Sequence, residues 1–205
     1  SQQSIGGWIE EAARKKMAIQ ISPFYQSNIS INPSHLKLTL PDETKMNLIN
    51  QNYNQALGIH ISYLYNIASL TGISQLYSLI SIKGSILGHT ETKNREILTR
   101  PYLYSGYIGL KKKFWRKSQA ITAKLSIGYD GIYMITNSSS YNINNIDIQT
   151  LGTEFELGYE KLITPRISLF GTLAKKWTLS HATFNYSINN NEFSNSQSMT
   201  NFSLG

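Results

Sequence analysis

Apolar and polar residues alternate along most of the chain, and the clearest run lies between residues 150 and 160. One set of positions in this run is mainly apolar: Leu151, Thr153, Phe155, Leu157 and Tyr159. The other set is small or acidic: Thr150, Gly152, Glu154, Glu156, Gly158 and Glu160. Successive side chains of a β-strand point to opposite faces, so this run predicts a strand with one apolar and one polar face.

Similar runs predict strands at about 17–27, 55–65, 75–88, 102–112, 121–130, 150–160 and 167–180, with an eighth beginning near Ser198. Most strands of soluble proteins have 5 or 6 residues, whereas a strand that crosses a bilayer needs about 9 to 11. The intervening segments alternate between long and short, as the external loops and periplasmic turns of outer-membrane barrels do. The long ones are 28–54, 89–101, 134–147 and 182–197, and the short ones are 66–74, 113–118 and 162–166. We therefore expect an all-β fold, an antiparallel up-and-down transmembrane β-barrel of about eight strands.

Alternation alone does not say which face points inward, because a soluble lipocalin-like barrel has the same period with an apolar interior. Charged residues make up 15% of the 205 residues, whereas soluble proteins average about 25%. The polar face is mostly Gly, Ser and Thr, which suits a narrow interior better than a soluble exterior. The composition favours a membrane barrel and leaves a soluble ligand-binding barrel as an alternative.

The alternation, the loop asymmetry and the Tyr residues near strand ends resemble those of the small bacterial outer-membrane β-barrels. This broad class contains OmpA-like, OmpX-like and OmpW-like proteins. The resemblance implies the outer membrane of a Gram-negative-type bacterium, a periplasmic N-terminus, and contacts with outer-membrane lipid or lipopolysaccharide and with other outer-membrane proteins. Members usually end in an aromatic residue, whereas this sequence ends Asn201-Phe202-Ser203-Leu204-Gly205. We therefore expect the last strand to be incomplete.

The chain divides into a periplasmic leader, residues 1–16, and a barrel, residues 17–205. Helix-forming residues between Trp8 and Lys16 predict a short helix in the leader, supported by acidic and basic residues at i, i+4 spacing. A separate alternating stretch runs from His35 to Leu40. We expect an external hairpin arm there, because an additional barrel strand would invert the order of long and short connections.

Aromatic and basic residues near the strand ends are predicted to anchor the barrel at the membrane interfaces. The aromatic anchors are Tyr63, Tyr65, Tyr102, Tyr104, Trp115, Tyr129 and Tyr159, and the basic ones are Lys112, Lys113 and Arg116. The net charge of +7 and the basic cluster at 111–117 would also suit nucleic acid. We expect no nucleic-acid partner, because the cluster lies in a predicted short turn and the chain has no RNP, KH or zinc-finger pattern.

Charged residues on the polar face are predicted to point into the lumen. They are Lys83, Lys111, Lys124, Asp130, Glu154 and Glu156, accompanied by His60. An unpaired buried charge is costly, so we expect these residues to form salt bridges and hydrogen bonds with one another. An eight-stranded barrel is only wide enough for side chains to fill it. The pattern therefore favours a filled interior, and a narrow channel for small solutes is the alternative.

Catalytic and metal-binding patterns are sparse. The stretch His60-Ile61-Ser62 is similar to the His-x-Ser of outer-membrane lipid A deacylases, but it lies on the predicted lumenal face and no Glu follows at a comparable distance. Glu154 and Glu156, about 7 Å apart along a strand, would also suit an acid–base pair, although lysine partners explain them more simply. The four His show no metal-ligand spacing. We expect no enzyme activity, no cofactor and no metal, and predict a structural or interaction component that could belong to a larger membrane complex.

Overall fold

The computed structural model describes residues 7, 15–27, 37–39, 45–47, 53–89, 101–138, 143–179, 182–188 and 191–197. These residues are almost entirely β-structure. The main sheet contains nine antiparallel strands: β1 Met17–Gln26, β4 Tyr53–Asn66, β5 Leu76–His89, β6 Tyr102–Arg116, β7 Gln119–Ser138, β8 Ile143–Leu162, β9 Ser168–Thr178, β10 Ala182–Ile188 and β11 Asn191–Gln197. A four-residue helix, α1 Ala68–Thr71, precedes β5. Within the described part of the chain, no helix is both long and apolar enough to cross a membrane.

Strands β1, β4, β5, β6, β7 and β8 are neighbours in that order, so each pairs with the next in an up-and-down arrangement. Strand β8 then has two partners on its far side, β9 along its second half and β10 along its first half, and β11 pairs with β10. In the described residues the sheet is not closed, because β1 and β9 do not pair with each other. The predicted strand from Ser198 lies outside the described residues.

Two predicted loops are instead largely β-structure. The segment 134–147 is mostly taken up by the ends of β7 and β8, and 182–197 forms the hairpin of β10 and β11. The physical reason is that apolar side chains such as Met134 and Ile146 continue on the buried face and keep the strands paired.

Outside the main sheet, β2 Lys37–Thr39 pairs with β3 Lys45–Asn47 in a separate two-stranded sheet. The expected hairpin is therefore confirmed, and its external position stays a prediction. The predicted helix between Trp8 and Lys16 lies outside the described residues except for Lys15 and Lys16, which have no helical structure.

The connection between β6 and β7 is a two-residue turn. Arg116 pairs with Gln119, and Lys117 between them has a φ of 56°. We call the end of the sheet that carries this turn the lower end, and the end that carries the β7–β8 connection the upper end. The short connection predicted at 113–118 is therefore confirmed, but it is shorter than expected and β6 continues to Arg116.

The sheet is strongly curved. The side chains of Lys83 on β5 and Glu154 on β8 form a salt bridge, although β6 and β7 lie between these strands. The sheet therefore has a concave inner face and a convex outer face. Backbones approach closely on the inner face, where a Cβ added to Gly128 would lie 1.9 Å from the Gly106 carbonyl oxygen. Glycine at such a position permits a contact that a larger residue would prevent.

Candidate functional site

The centre of the inner face is built around two carboxylates of β8. Lys124 of β7 places its Nζ 2.8 Å from Glu154 Oε1 and 2.6 Å from Glu156 Oε2. Lys124 and Glu156 are direct cross-strand partners, so the strand register itself brings them together. All three side chains are buried. One ammonium group is thus shared by two carboxylates, a geometry that the alternation of β7 and β8 dictates.

Each of these carboxylates also has a second lysine. Lys83 donates a hydrogen bond to Glu154 Oε2. Lys111 Nζ lies 3.5 Å from Glu156 Oε1 and donates a hydrogen bond of 3.0 Å to Gln20 Oε1 of β1. Three lysines therefore surround two carboxylates, and the hydrogen bonds from charged donors partly offset the cost of burying them.

Asp130 forms a second group nearer the upper end. Lys176 of β9 lies 2.7 Å from Asp130 Oδ1, and the Tyr107 hydroxyl donates to Asp130 Oδ2. Gly152 provides the space for this contact, because a Cβ at that position would lie 2.9 Å from the Tyr107 hydroxyl oxygen and 3.0 Å from Asp130 Oδ2.

A third group lies near the lower end. It includes Lys113 and Trp115, for which the predicted role as interface anchors on the outer face is wrong. Lys113 does not face outward as an interface anchor; it is buried on the inner face, 2.7 Å from Glu160 Oε2. Trp115 lies on the same side and donates from Nε1 to Gln75 Oε1 over 3.2 Å. The reason is that β6 remains a regular strand to Arg116, so 113 and 115 share the face of Lys111. Lys112 and Arg116 lie on the outer face, as their even positions require.

His60 lies on the inner face, but its hydrogen-bond partner is a neighbouring side chain rather than a carboxylate. Its Nε2 is 2.8 Å from Ser62 Oγ, and Ser62 is buried. Both side chains point away from the outer face. In the described residues no three or more His, Asp and Glu side chains are grouped so that they could hold a metal ion.

Several interior residues were missed by the sequence analysis as members of the network: Gln20, Tyr107, Lys113, Glu160 and Lys176. Glu160 shares the inward positions of Glu154 and Glu156, so the alternation alone could have identified it. Lys176 was missed because Phe170 and Trp177 blur the alternation of β9, in which Phe170 lies on the inner face and Trp177 on the outer one.

The outer face of β5 to β8 carries an apolar band with tyrosines at both ends. The band includes Ile80, Ile82, Ile108, Leu110, Ile121, Leu125, Ile127, Phe155 and Leu157, all exposed. Tyr63, Tyr65 and Tyr159 lie at its lower end, and Tyr102 and Tyr129 lie at its upper end, all on the outer face. Tyr104 is also on the outer face, where its ring covers Gly131 and its hydroxyl donates to Asp147 over 2.6 Å.

The polarity of both faces inverts at one level on β8, and the inner faces of β6 and β7 change from polar to apolar at the same level. On β6, β7 and β8 the register aligns three polar residues whose side chains point inward, Ser105, Asp130 and Thr150. Two positions higher it aligns three apolar residues that also point inward, Leu103, Ile132 and Ile148. Below this level the inner face of β7 and β8 is mainly polar, and the outer residue Leu125 is 60% exposed. On β4 and β5 the lower inner face also carries a buried apolar cluster of Leu64, Tyr77 and Leu79. Above this level the inner face is apolar, with Ile132 fully buried.

We call the sheet above this level the upper extension, comprising 131–138 of β7, 143–149 of β8, and strands β10 and β11. Its inner face contains Ile132, Met134, Ile146, Ile148 and Phe184, all buried. Tyr186 stacks on Phe193 at a centroid distance of 5.5 Å, and burial raises the pKa of the Tyr186 hydroxyl. The outer face carries polar residues, including Asn145, Asp147 and Gln149. This is the distribution expected of a sheet in water.

Comparisons with known proteins assign no family: no family model, curated protein or solved structure matches the chain. The interior charges are held by one another, and the outer face is apolar along the strands whose inner face is charged. Charged side chains are almost never fully buried unless they are paired, and each buried charge of this network has a partner.

Proposed function

We propose that the protein is a non-enzymatic β-barrel of a bacterial outer membrane, with a filled interior, which acts as a structural or interaction component. The observation that carries the proposal is the inversion of both faces of β8, together with the inner faces of β6 and β7, at the row Ser105–Asp130–Thr150. A soluble barrel keeps its apolar residues inside along its whole length. A strand that passes from lipid into water must instead exchange its apolar face for a polar one, since lipid favours apolar side chains outside and water favours them inside.

The length of the apolar band supports the same conclusion. On β8 it runs from Leu151 to Tyr159, nine residues, which matches the 9 to 11 that a tilted strand needs to cross the hydrocarbon core. Tyrosines flank it at both ends, as in the aromatic girdles of membrane barrels. Lys112 and Arg116 lie on the outer face near the lower end, where long basic side chains can reach lipid phosphates. Lys175, opposite Phe155, interrupts the band on β9 beside the open edge of the sheet.

The interior salt bridges support a barrel filled by its own side chains rather than a solute channel. Lys83, Lys111 and Lys124 reach across the inner face to Glu154 and Glu156, so their side chains occupy the space that a pore would need. No hydrolase is proposed, because His60 and Ser62 face this occupied interior instead of the lipid.

The upper extension is the part that we propose contacts other molecules. Its outer face carries amide, hydroxyl and carboxylate groups, among them Asn145, Asp147, Asn185, Ser187 and Glu192, which line a shallow depression. Such a surface suits polar partners, either lipopolysaccharide sugars or other proteins of the outer membrane, and it lies directly above the apolar band.

The experiment that tests the proposal measures the depth of single positions in a bilayer. The chain has no cysteine, so Leu157→Cys and Asn145→Cys can each carry one fluorophore on the same face of β8. In phosphatidylcholine vesicles that contain brominated acyl chains, we expect bromine to quench the label at 157 strongly and the label at 145 weakly.

Two results would contradict the proposal. If neither label were quenched, the soluble barrel would be favoured. If both were quenched equally, the inversion would not mark the edge of the bilayer. Cysteine at Lys117, in the turn at the lower end, serves as a control that should be weakly quenched in the proposed orientation.

A further inference from the structure

A cavity lies at the lower end of the sheet, between β1 and the turn that joins β8 to β9. Its volume is about 330 Å³, which is at the small end of the range for ligand pockets, about 300–1,000 Å³. Lys15 bridges the two sides of the cavity, because its Nζ donates a hydrogen bond of 2.8 Å to the Pro165 carbonyl oxygen. A space of this size suits the headgroup of a lipid rather than a whole lipid.

The charges that line this cavity are mainly positive. Lys15, Lys113 and Arg166 contribute three cations, and Glu160 is the one carboxylate among the described lining residues, which leaves a net charge of +2. Glu160 is buried and already paired, since Lys113 Nζ lies 2.7 Å from its Oε2 and the Ser168 hydroxyl donates to its Oε1 over 2.7 Å. Arg166 is exposed, and its guanidinium has no partner in the part of the chain that the structure describes. The cavity therefore offers unused donors to an anion.

The surface around the cavity has the same sign of charge. Within the described residues, the exposed charged side chains at the lower end are all basic: Lys16, Arg116, Lys117, Lys161 and Arg166. The upper extension has the opposite sign, since its described residues include Asp147 and Glu192 but no lysine or arginine. The electrostatic field of the protein therefore attracts anions to the lower end rather than to the upper one.

The outer margin of the cavity is apolar. Ile19 and Ile21 of β1 and Ile167 of the β8–β9 turn line it, and each of these side chains is more than half exposed. In the proposed barrel, Ile19 and Ile21 lie on the outer face, where a membrane barrel contacts acyl chains. A free phosphate ion would contact only the cations, whereas a lipid would contact both the cations and this apolar margin.

We propose that the cavity binds the phosphate group of an anionic phospholipid, with the acyl chains lying along Ile19 and Ile21. Arg166 donates charge-assisted hydrogen bonds to the phosphate oxygens, and so does Lys15, which has three donors and uses one of them on Pro165. A zwitterionic headgroup binds more weakly, because its ammonium group would lie among cations and Glu160 is already paired. The inference rests on the proposed membrane location, and it assigns a class of lipid to the lower end.

Native mass spectrometry of the full chain in detergent micelles tests this assignment. The probes are dioleoyl phosphatidylglycerol, dioleoyl phosphatidylethanolamine and inorganic phosphate, each titrated separately. We expect phosphatidylglycerol to bind most tightly, because only this probe combines a net negative charge with acyl chains. Arg166→Gln should weaken its binding about tenfold, the loss typical of one hydrogen bond to a charged group. The double variant K15Q/R166Q should weaken it further.

The matched control is K117Q/K161Q, which removes the same charge from the same end but outside the cavity lining. It should bind phosphatidylglycerol as the unaltered protein does. Equal losses in K117Q/K161Q and K15Q/R166Q would overturn the proposal in favour of a general attraction by the basic surface. Circular dichroism confirms that each variant is folded, and R166Q alone leaves the hydrogen bond from Lys15 to Pro165 intact.

The choice of probes separates the other occupants. Equal affinity for the two lipids would overturn the selectivity for an anionic headgroup, and inorganic phosphate that binds as tightly as phosphatidylglycerol would indicate a site for the free ion. Lipid binding in micelles is measured separately from the quenching of the labels at 157 and 145. Absent phosphatidylglycerol binding with strong quenching at 157 counts against this site alone, whereas absent quenching counts against the proposed membrane location.

Discussion

At the scale of single residues, the interior is organised by shared partners. Lys124 forms salt bridges with both Glu154 and Glu156. Lys83 forms a further salt bridge with Glu154, and Lys111 forms one with Glu156. A buried ion pair contributes little net stability relative to a well-packed apolar pair, yet the loss of one member is costly because it leaves an uncompensated charge. Each lysine is therefore important mainly because its removal would leave a buried carboxylate without a compensating charge.

Replacing Lys124 with Met should lower the free energy of unfolding by about 3 kcal/mol, because two carboxylates lose their common partner. Denaturant titration in detergent micelles, followed by tryptophan fluorescence, measures this change. Lys112→Met, on the outer face of β6, is the matched control and should change stability little. Adding Glu156→Gln to Lys124→Met should restore part of the loss; a double variant no more stable than the single one would contradict the shared-partner account.

The substitution of one inner glycine should be far more damaging than that of an outer one. A Cβ at Gly128 would lie 1.9 Å from the Gly106 carbonyl oxygen, whereas a Cβ at Gly106 would meet no atom within 4 Å. We expect Gly128→Ala to destabilise the protein by about 1–3 kcal/mol through overpacking, and Gly106→Ala to be nearly neutral. Equal midpoints for the two variants in denaturant titrations would be inconsistent with this packing.

How far the sequence predicts the site depends on where each strand ends. The period of two is enough to place Lys83, Lys111, Lys124, Asp130, Glu154 and Glu156 on one face. It does not place Lys113 and Trp115, because the turn at Lys117 that lets β6 run on to Arg116 depends on backbone conformation. Partners on distant strands, such as Lys176 with Asp130, depend on the curvature of the whole sheet, which a local pattern does not contain.

At the scale of elements, strands β7 and β8 each combine two environments. Their lower parts have polar inner faces, and their upper parts have apolar inner faces. The sequence predicts loops at 134–147 and 182–197, and the first of these begins where the alternation changes sense near Ile132 and apolar residues move from the outer to the inner positions. The upper extension is therefore a second small core built on the same strands, and it should open independently of the lower sheet.

Replacing Phe184 with Ala tests this independence. Phe184 is fully buried, and its truncation should cost about 3 kcal/mol, the usual range for a core aromatic residue. Hydrogen exchange followed by mass spectrometry should show faster exchange in β10 and β11 and unchanged exchange in β5 and β6. Phe155→Ala, on the outer face, is the control and should leave β10 and β11 protected. Uniformly faster exchange over all strands would argue for one cooperative unit.

At the scale of the whole molecule, the proposed barrel has an interior filled by its own side chains. In planar lipid bilayers we expect the protein to insert without steady single-channel steps, because the lysine–carboxylate pairs span the inner face. Recording currents for the unaltered protein and for Lys124→Met distinguishes the filled barrel from a channel. Steady steps whose conductance changes in Lys124→Met would contradict the filled interior and support a solute pathway lined by these charges.

The interior charges are also sorted by strand, and this has a consequence for assembly. Every acidic member of the network lies on β7 or β8, whereas Lys83, Lys111, Lys113 and Lys176 come from β5, β6 and β9. The inner face of a β7–β8 hairpin on its own would carry four of the network's carboxylates and one lysine, so only some of this charge is neutralised before the neighbouring strands pair with it. In the proposed barrel, entry of this hairpin into hydrocarbon is therefore unfavourable until the flanking strands join it, because its unpaired carboxylates would be buried. The proposal thus requires the strands to associate before or during insertion.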